Sequence, residues 1–253
     1  MEIVKTIEQV RKVVSEAGMA SRKIGLVPTM GALHEGHFSL IKAAKKQCDF
    51  VAVSIFVNPT QFGPGEDLAK YPRPFDVDVK ACKELGVDIV FAPTVEQIYP
   101  VRDKTSNGVY PEKNITWVNV EKLSEPLCGK SRPGHFRGVA TVCAKLFNIV
   151  QPDVAFFGQK DAQQAVIIRR MVADLNMPME IVVCPTVRQI DGLAMSSRNK
   201  YLNDKERKDA ALLYAALQEA EMLIGAGVRK SSELVREIEK ILKISKQIKV
   251  PDA

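Results

Sequence analysis

Two of the three histidines in this chain, His34 and His37, stand three residues apart in "VPTMGALHEGHFSLIKAAK". Residues at that spacing share one face of a helix's first turn, so both imidazoles can aim at a single anion. An imidazole N–H donates to a phosphate oxygen, and more strongly as charge builds on that oxygen in a transition state. Gly31, just upstream, lets backbone approach a ligand closely, and a helix N-terminus adds free N–H groups and a positive dipole end. The competing reading is a helix-capping or surface pair. Zinc is a weaker alternative: no Cys, Asp or third His lies at ligand spacing, and Glu35 points elsewhere on the turn.

Four further stretches carry candidate chemistry. In "FFGQKDAQQ", Gly158, Lys160 and Asp161 follow an apolar run; Lys160 is a mobile cation for phosphate and Asp161 a helix cap or a ligand-hydroxyl acceptor. In "GLAMSSRNKYL", Ser196, Ser197 and Arg198 gather hydroxyls and a guanidinium on an expected mobile loop able to close on phosphates. In "FVNPTQFGPGEDLAKYPR", the neutral amides of Asn58 and Gln61 suit a polar organic acid, or else Asn58 and Pro59 make an Asx-type turn. In "CGKSRPGHFRG", Arg132 and His135 flank a Pro-Gly turn.

These stretches sit at the ends of strand-like runs. The pattern predicts a helix over about Ile7 to Ala17, a strand in "KIGLVPT", the loop "MGALHEG" and a helix through Lys46. "DFVAVSIFVNP" reads as a strand buried on both faces, "FDVDVKACKELG" as a helix closed by Gly86, and "VDIVFAP" as a strand. "TWVNV" alternates like a half-exposed strand. Next come a helix in "GVATVCAKLFNIV", a strand in "DVAFFG", a helix in "DAQQAVIIRRMVADLN" and a strand in "MEIVVCPTV". This rhythm implies an α/β fold with a doubly wound parallel sheet, whose ligands sit beyond the strand C-termini. From Asp204 only helical patterns follow, so we expect a main domain over 1–187 and a smaller helical one over 188–253.

Composition narrows the partners. The 253 residues carry 36 Lys and Arg against 30 Asp and Glu, a formal charge of +6 that favours anions. One Trp and 6% aromatics offer little for base stacking, so a small-anion site is favoured over nucleic acid. The five cysteines form no C-x-x-C and read as buried thiols in a reducing cytosol. The N-terminus lacks a signal-peptide core and no segment has the apolar length of a membrane span, so a soluble cytoplasmic protein is expected.

Taken together and in order, "PTMGALHEGH", "FVNPTQFGPGEDLAKYPR", "RPGHFRGV", "FGQKDAQQ" and "DGLAMSSRN" resemble the pantothenate synthetase (pantoate–β-alanine ligase) family. That family lies among adenylate-forming enzymes with the Rossmann-like fold of nucleotidyltransferases and class I tRNA synthetases. The likeness runs from about Thr6 to Tyr201. It implies ATP and pantoate as substrates, with Mg²⁺, an enzyme-bound pantoyl adenylate, then attack by β-alanine to release pantothenate and AMP. It implies that Met30, Gly31, Ala32, Leu33, His34, Glu35, Gly36 and His37 hold ATP, with His37, His34 and Lys160 catalytic. Gly158, Gln159, Lys160 and Asp161 would bind nucleoside and phosphates, Val187 the adenine side, and Met195, Ser196, Ser197 and Arg198 the pyrophosphate portion. Gln61 and Gln164 would hold pantoate, Gln61 also β-alanine, with Asn58, Arg132 and His135 lining the same pocket. In "FDVDV", Asp78 is the expected metal ligand, with Asp76 beside it. Relatives are homodimers and continue into further strands of a lid, whereas this chain stops at "QIKVPDA", so a shortened lid is expected.

Two other readings stay open at this point. A nucleotidylyltransferase that leaves the nucleotide on its product would use the same H-x-x-H and S-S-R apparatus. A non-catalytic RNA- or anion-binding module would use the charge alone.

Overall fold

The computed structural model describes residues 1–100, 114 and 116–245. The expected end of the lid, "QIKVPDA", lies outside the described residues.

Among the described residues the strands are β1 (Glu2–Val4), β2 (Ile24–Thr29), β3 (Phe50–Ile55), β4 (Ile89–Phe91), β5 (Val154–Gly158) and β6 (Glu180–Cys184). They form one parallel sheet in the order β1-β4-β3-β2-β5-β6. The helices are α1 (Ile7–Met19), α2 (Glu35–Gln47), α3 (Phe75–Glu84), α4 (Val95–Ile98), α5 (Cys128–Ser131), α6 (His135–Val150), α7 (Ala162–Asp174), α8 (Asp204–Gly225) and α9 (Ser231–Leu242). The expected α/β doubly wound architecture is present. The chain winds from β2 through β3 to β4 on one side and from β5 to β6 on the other, so the order reverses between β2 and β5. That crevice, at the strand C-termini, is where ligands bind in such sheets.

The inner strands are largely apolar because both faces are covered, Ser54 and Thr29 being the buried polar exceptions. On one side Leu26, Ala52, Ile89 and Phe157 pack with Val10 and Val14 of α1, Phe147 of α6 and Ile168 of α7. On the other, Val27, Val53, Val90 and Phe156 pack with Leu40 and Ile41 of α2 and Cys82 of α3. Burying each such aliphatic side chain contributes roughly 1.5–3 kcal/mol, which fixes strand register, since a one-residue slip would exchange the faces. Local signals set the ends. Thr6 caps α1 through a capping box with Gln9, and Gly86 takes φ +72° just beyond α3.

Two expectations change. "TWVNV" is not a strand: Val118 N–H goes to Thr141 Oγ1 on α6 at 3.0 Å instead of a neighbouring ladder. Conversely β1, unanticipated, pairs with β4 at the sheet edge.

The chain divides into two compact units, Met1–Pro185 and the remainder from Thr186. In the second, a tight turn carries Gly192 at φ +85°, with Gln189 N–H to Leu193 O and Met195 N–H to Val187 O. Arg207 of α8 reaches Gln189 and Asp191 on this turn. Val187 is thereby tied to the second unit.

Candidate active site

The loop after β2 is built from a left-handed turn. Gly31 has φ +80° and Ala32, with a Cβ, φ +51°. Asp78 of α3, only 2% exposed, accepts Ala32 N–H and Leu33 N–H at 2.8 Å each, one on each carboxylate oxygen. Thr29 Oγ1 accepts Gly31 N–H and donates to Ser54 O. The glycine is needed for this packing: a Cβ there would sit 3.1 Å from Asp78 Oδ2 and from Ile55 Cγ2. So Gly31 makes room for Asp78, where the sequence suggested room for a ligand.

The histidines continue the same pattern. His34 is the N-cap of α2, and its Nδ1 accepts Gly36 N–H at 3.2 Å. His37 Nδ1 accepts His34 N–H at 3.3 Å, and the rings lie 4.1 Å apart. A ring nitrogen that accepts carries no proton, so each neutral imidazole bears its proton on Nε2. The capping and anion readings are therefore compatible, one nitrogen serving each. The amides of Gly31, Ala32, Leu33, His34 and Gly36 are all used internally. The free N–H groups expected here are thus in use at these five positions.

Electrostatics keep the pair neutral. Burial brings His34 down to about 4, with Lys160 helping and Asp161 opposing. Burial, then His34, then Lys160 bring His37 down to about 3. Lys160 and Asp161 thus stand in the field of the histidines, although they arrive from the end of β5, across the switch point. Gly158 ends β5, Gln159, Lys160 and Asp161 make a short 3-10 turn, and α7 follows with Gln164 half-buried in its first turn. Asp161 makes no side-chain cap.

A third group follows β3. Pro59–Gln61 forms a 3-10 turn capped by Asn58, whose Oδ1 accepts Thr60 N–H at 3.4 Å and Tyr99 O–H at 2.9 Å. Asn58 Nδ2 donates to Gln61 Oε1 at 3.1 Å and Gly138 O at 3.2 Å. Gln61 Nε2 in turn lies 3.0 Å from Met30 Sδ, joining this turn to the histidine loop. His135 Nδ1–H donates to Gln61 O at 2.8 Å, and its Nε2 accepts from Arg132 Nη1 at 3.1 Å. Arg132 also grips Glu66 with two bonds of 2.9 and 2.5 Å. Burial lowers the His135 pKa, and hydrogen bonding to Arg132 lowers that of Glu66. Asn58, Arg132 and His135, expected as pocket lining, are engaged in fastening Gln61.

Sequence reasoning overlooked Glu66, Tyr99 and Gly138. It offered no local signal for them, because each acts on a partner far along the chain. Gly138 is the sharpest case: a Cβ there would meet Thr60 O at 2.3 Å.

The sequence profile described as Pantoate-beta-alanine ligase matches residues 2–252. The chain belongs to the pantoate–β-alanine ligase family. The pantothenate synthetase of Moorella thermoacetica is 55% identical over 240 residues, covering 95% of this chain and 81% of that one. That of Thermoanaerobacter sp. (strain X514) is 53% identical over 242 residues, covering 96% and 82%. The crystal structure of pantothenate synthetase from Thermus thermophilus superposes with a TM-score of 0.88 at 45% identity, covering 98% of this chain and 84% of that one. The pantoate–β-alanine ligase of Francisella tularensis, crystallised in complex with "Beta-gamma ATP" and β-alanine, gives 0.79 at 38% identity, covering 95% and 86%.

Family membership makes the chain a ligase, and the expected metal can be tested against its side chains. Among the described residues no group of three or more His, Cys, Asp or Glu is placed to hold a metal. Both oxygens of Asp78 accept loop amides, while Asp76 is exposed on the first turn of α3.

In the second unit, the remaining expected ATP-site residues of this ligase lie on the Gly192 turn and in the segment after it. Val187 O accepts Met195 N–H, Ser196 Oγ accepts Arg198 N–H at 3.3 Å, and Ser197 and Arg198 open a 3-10 turn running to Tyr201. The segment expected as a loop holds this short turn.

Proposed function

We propose that the protein joins pantoate to β-alanine at the expense of ATP, through a bound pantoyl adenylate. The pantoate carboxylate attacks the α-phosphorus, the bond to the β-phosphate breaks and diphosphate leaves. The amine of β-alanine then attacks the acyl carbon, AMP leaves and the amine gives up a proton. A carboxylate needs no base, so the protein's contribution is positioning and charge stabilisation.

The observation that carries this reading is the bond from Gln61 Nε2 to Met30 Sδ. It sets an amide suited to an organic acid directly beside the histidine loop. His34 and His37 present Nε2–H groups to the phosphates as charge moves onto diphosphate, and Lys160 adds a cation. Gly158 to Asp161 hold the nucleoside; Val187 meets the adenine side, and Met195 to Arg198 the diphosphate portion. Gln61 and Gln164 hold pantoate, Gln61 also β-alanine, with Asn58, Arg132 and His135 keeping Gln61 in place. The ligands of the Francisella tularensis relative support ATP and β-alanine as substrates here. Mg²⁺ would come with the triphosphate, as it commonly does, keeping much of its water.

The main domain over 1–187 binds substrates and the part over 188–253 serves as a lid that excludes water from the adenylate. We take the protein to be cytoplasmic and homodimeric, without nucleic-acid or membrane partners. The described cysteines are unpaired; four are buried as expected, but Cys128, at the start of the short helix α5, is exposed, and no helix among the described residues is long and apolar enough to cross a membrane.

A single turnover tests the scheme. Enzyme, ATP, Mg²⁺ and pantoate, quenched before any β-alanine is added, should yield pantoyl adenylate and diphosphate. Adding β-alanine should convert the adenylate to pantothenate and AMP. Diphosphate release that requires β-alanine from the outset would contradict it.

A further inference from the structure

We propose that Asp78 is a positioning residue for adenylyl transfer, its carboxylate holding the Gly31–Leu33 turn in the shape that aims His34 and His37. This rests on the function proposed above and names what keeps its nucleotide loop formed.

Successive amides converging from a left-handed turn make a concavity for an anion, and in many nucleotide-binding loops a phosphate fills it. Here a carboxylate of the protein fills it, with Ala32 N and Leu33 N each 2.8 Å from an Asp78 oxygen. The carboxylate comes from α3, on the far side of β3 in sequence, and is buried at 2% exposure.

The turn needs such a partner. Ala32 at φ +51° is in a region costly for a residue with a Cβ, and strain there persists only where surroundings over-determine it. The two bonds do so, and they stand immediately before the histidine cap. Leu33 is bonded to Asp78, and the next residue is His34, whose own N–H sets the His37 ring. Release of the turn would swing both Nε2–H groups together. With the concavity already filled, the phosphates are left to the imidazoles and Lys160, and the site holds most tightly the charge that develops during transfer.

The test measures pantoate-dependent ATP–pyrophosphate exchange in wild type, Asp78→Asn, Asp78→Glu and Asp78→Asn/Ala32→Gly. Asparagine keeps the shape but turns an N–H donor toward an amide that needs an acceptor. We expect kcat to fall about 10- to 100-fold in Asp78→Asn, the range seen when a supporting partner is lost, with the KM for pantoate within threefold. Adding Ala32→Gly should restore part of the rate, because glycine adopts this φ without strain. An unchanged kcat, or a pantoate KM that rises as much as kcat falls, would overturn the proposal. So would a loss that shrinks as Mg²⁺ is raised, which would make Asp78 a metal ligand.

Should Asp78→Asn fail to fold, amide hydrogen exchange in the wild-type protein decides. Slow exchange at Ala32 and Leu33 supports the clamp, and fast exchange refutes it. If wild type shows no pantoate-dependent exchange, the proposed function fails, while the amide measurement still judges the clamp.

Discussion

His37 Nδ1 accepts the backbone N–H of His34 at 3.3 Å, so the nitrogen that caps the helix cannot carry a proton while the cap is made. With pKa values brought to about 3 for His37 and about 4 for His34, both rings are neutral across pH 5–8. Nitrogen-15 spectra of the two rings should report protonated Nε2 and bare Nδ1 at pH 6. An imidazolium signal there would contradict the assignment. The same shifts set the sign for stability. Unfolded histidines take up protons below about pH 6.5, while the folded pair stays neutral down to its lowered values. Stability therefore falls as pH drops from about 6.5 toward 4. Urea unfolding should show this acid sensitivity weakened in His34→Asn/His37→Asn.

Gly138→Ala should damage the Gln61 site from behind. Its Cβ would lie 2.3 Å from Thr60 O and 2.8 Å from Gln61 Cα, both backbone atoms that yield only if the turn moves. Overpacking of this kind costs about 1–3 kcal/mol. Thermal unfolding should register the loss, and the KM for pantoate should rise more than that for ATP. A KM for ATP that rose more would place Gln61 on the wrong substrate.

Glu66→Gln weakens the two-bond grip on Arg132, and through it the support of His135 and Gln61 O. The pair is partly exposed, so the loss is about 1 kcal/mol, near fivefold in the KM for pantoate. Steady-state kinetics with pantoate varied would reveal it; equal losses for ATP and pantoate would argue for a general defect.

In the second unit, Asn203 caps α8 by accepting Lys205 N–H and Glu206 N–H, and Glu206 returns a bond to Asn203 N–H. Asn203→Ala should cost about 1 kcal/mol of stability. Denaturant titration should detect it, while the KM for pantoate stays unchanged.

The sheet was legible because strands covered on both faces are largely apolar. "DFVAVSIFVNP" contains β3, and "DVAFFG" contains β5. β1 was not legible: it has three residues, of which only Val4 is buried. "TWVNV" misled because alternation marks a half-buried segment, not its hydrogen-bond partner, and Val118 found a threonine side chain.

In the site, the histidine pair could be read from its spacing, as could the order of the surrounding motifs. The work of Asp78 could not be read. A carboxylate on a helix's first turn resembles any other there, and only folding brings it to amides 45 and 46 positions away. Glu66 and Arg132, 66 positions apart, pose the same difficulty. Gly31 signalled a close approach of backbone to a ligand, but the groups packed against it are the protein's own Asp78 carboxylate and Ile55 at the end of β3.

The measurement closest to the central claim is exchange of labelled pyrophosphate into ATP without β-alanine. If Gln61, His34, His37 and Lys160 bring an organic acid against the α-phosphorus, label should enter ATP when pantoate is present and stay out when it is omitted. In His37→Ala the exchange rate should fall far more than ATP affinity. Exchange that ignores pantoate, or that runs on a nucleoside monophosphate in its place, would contradict the account.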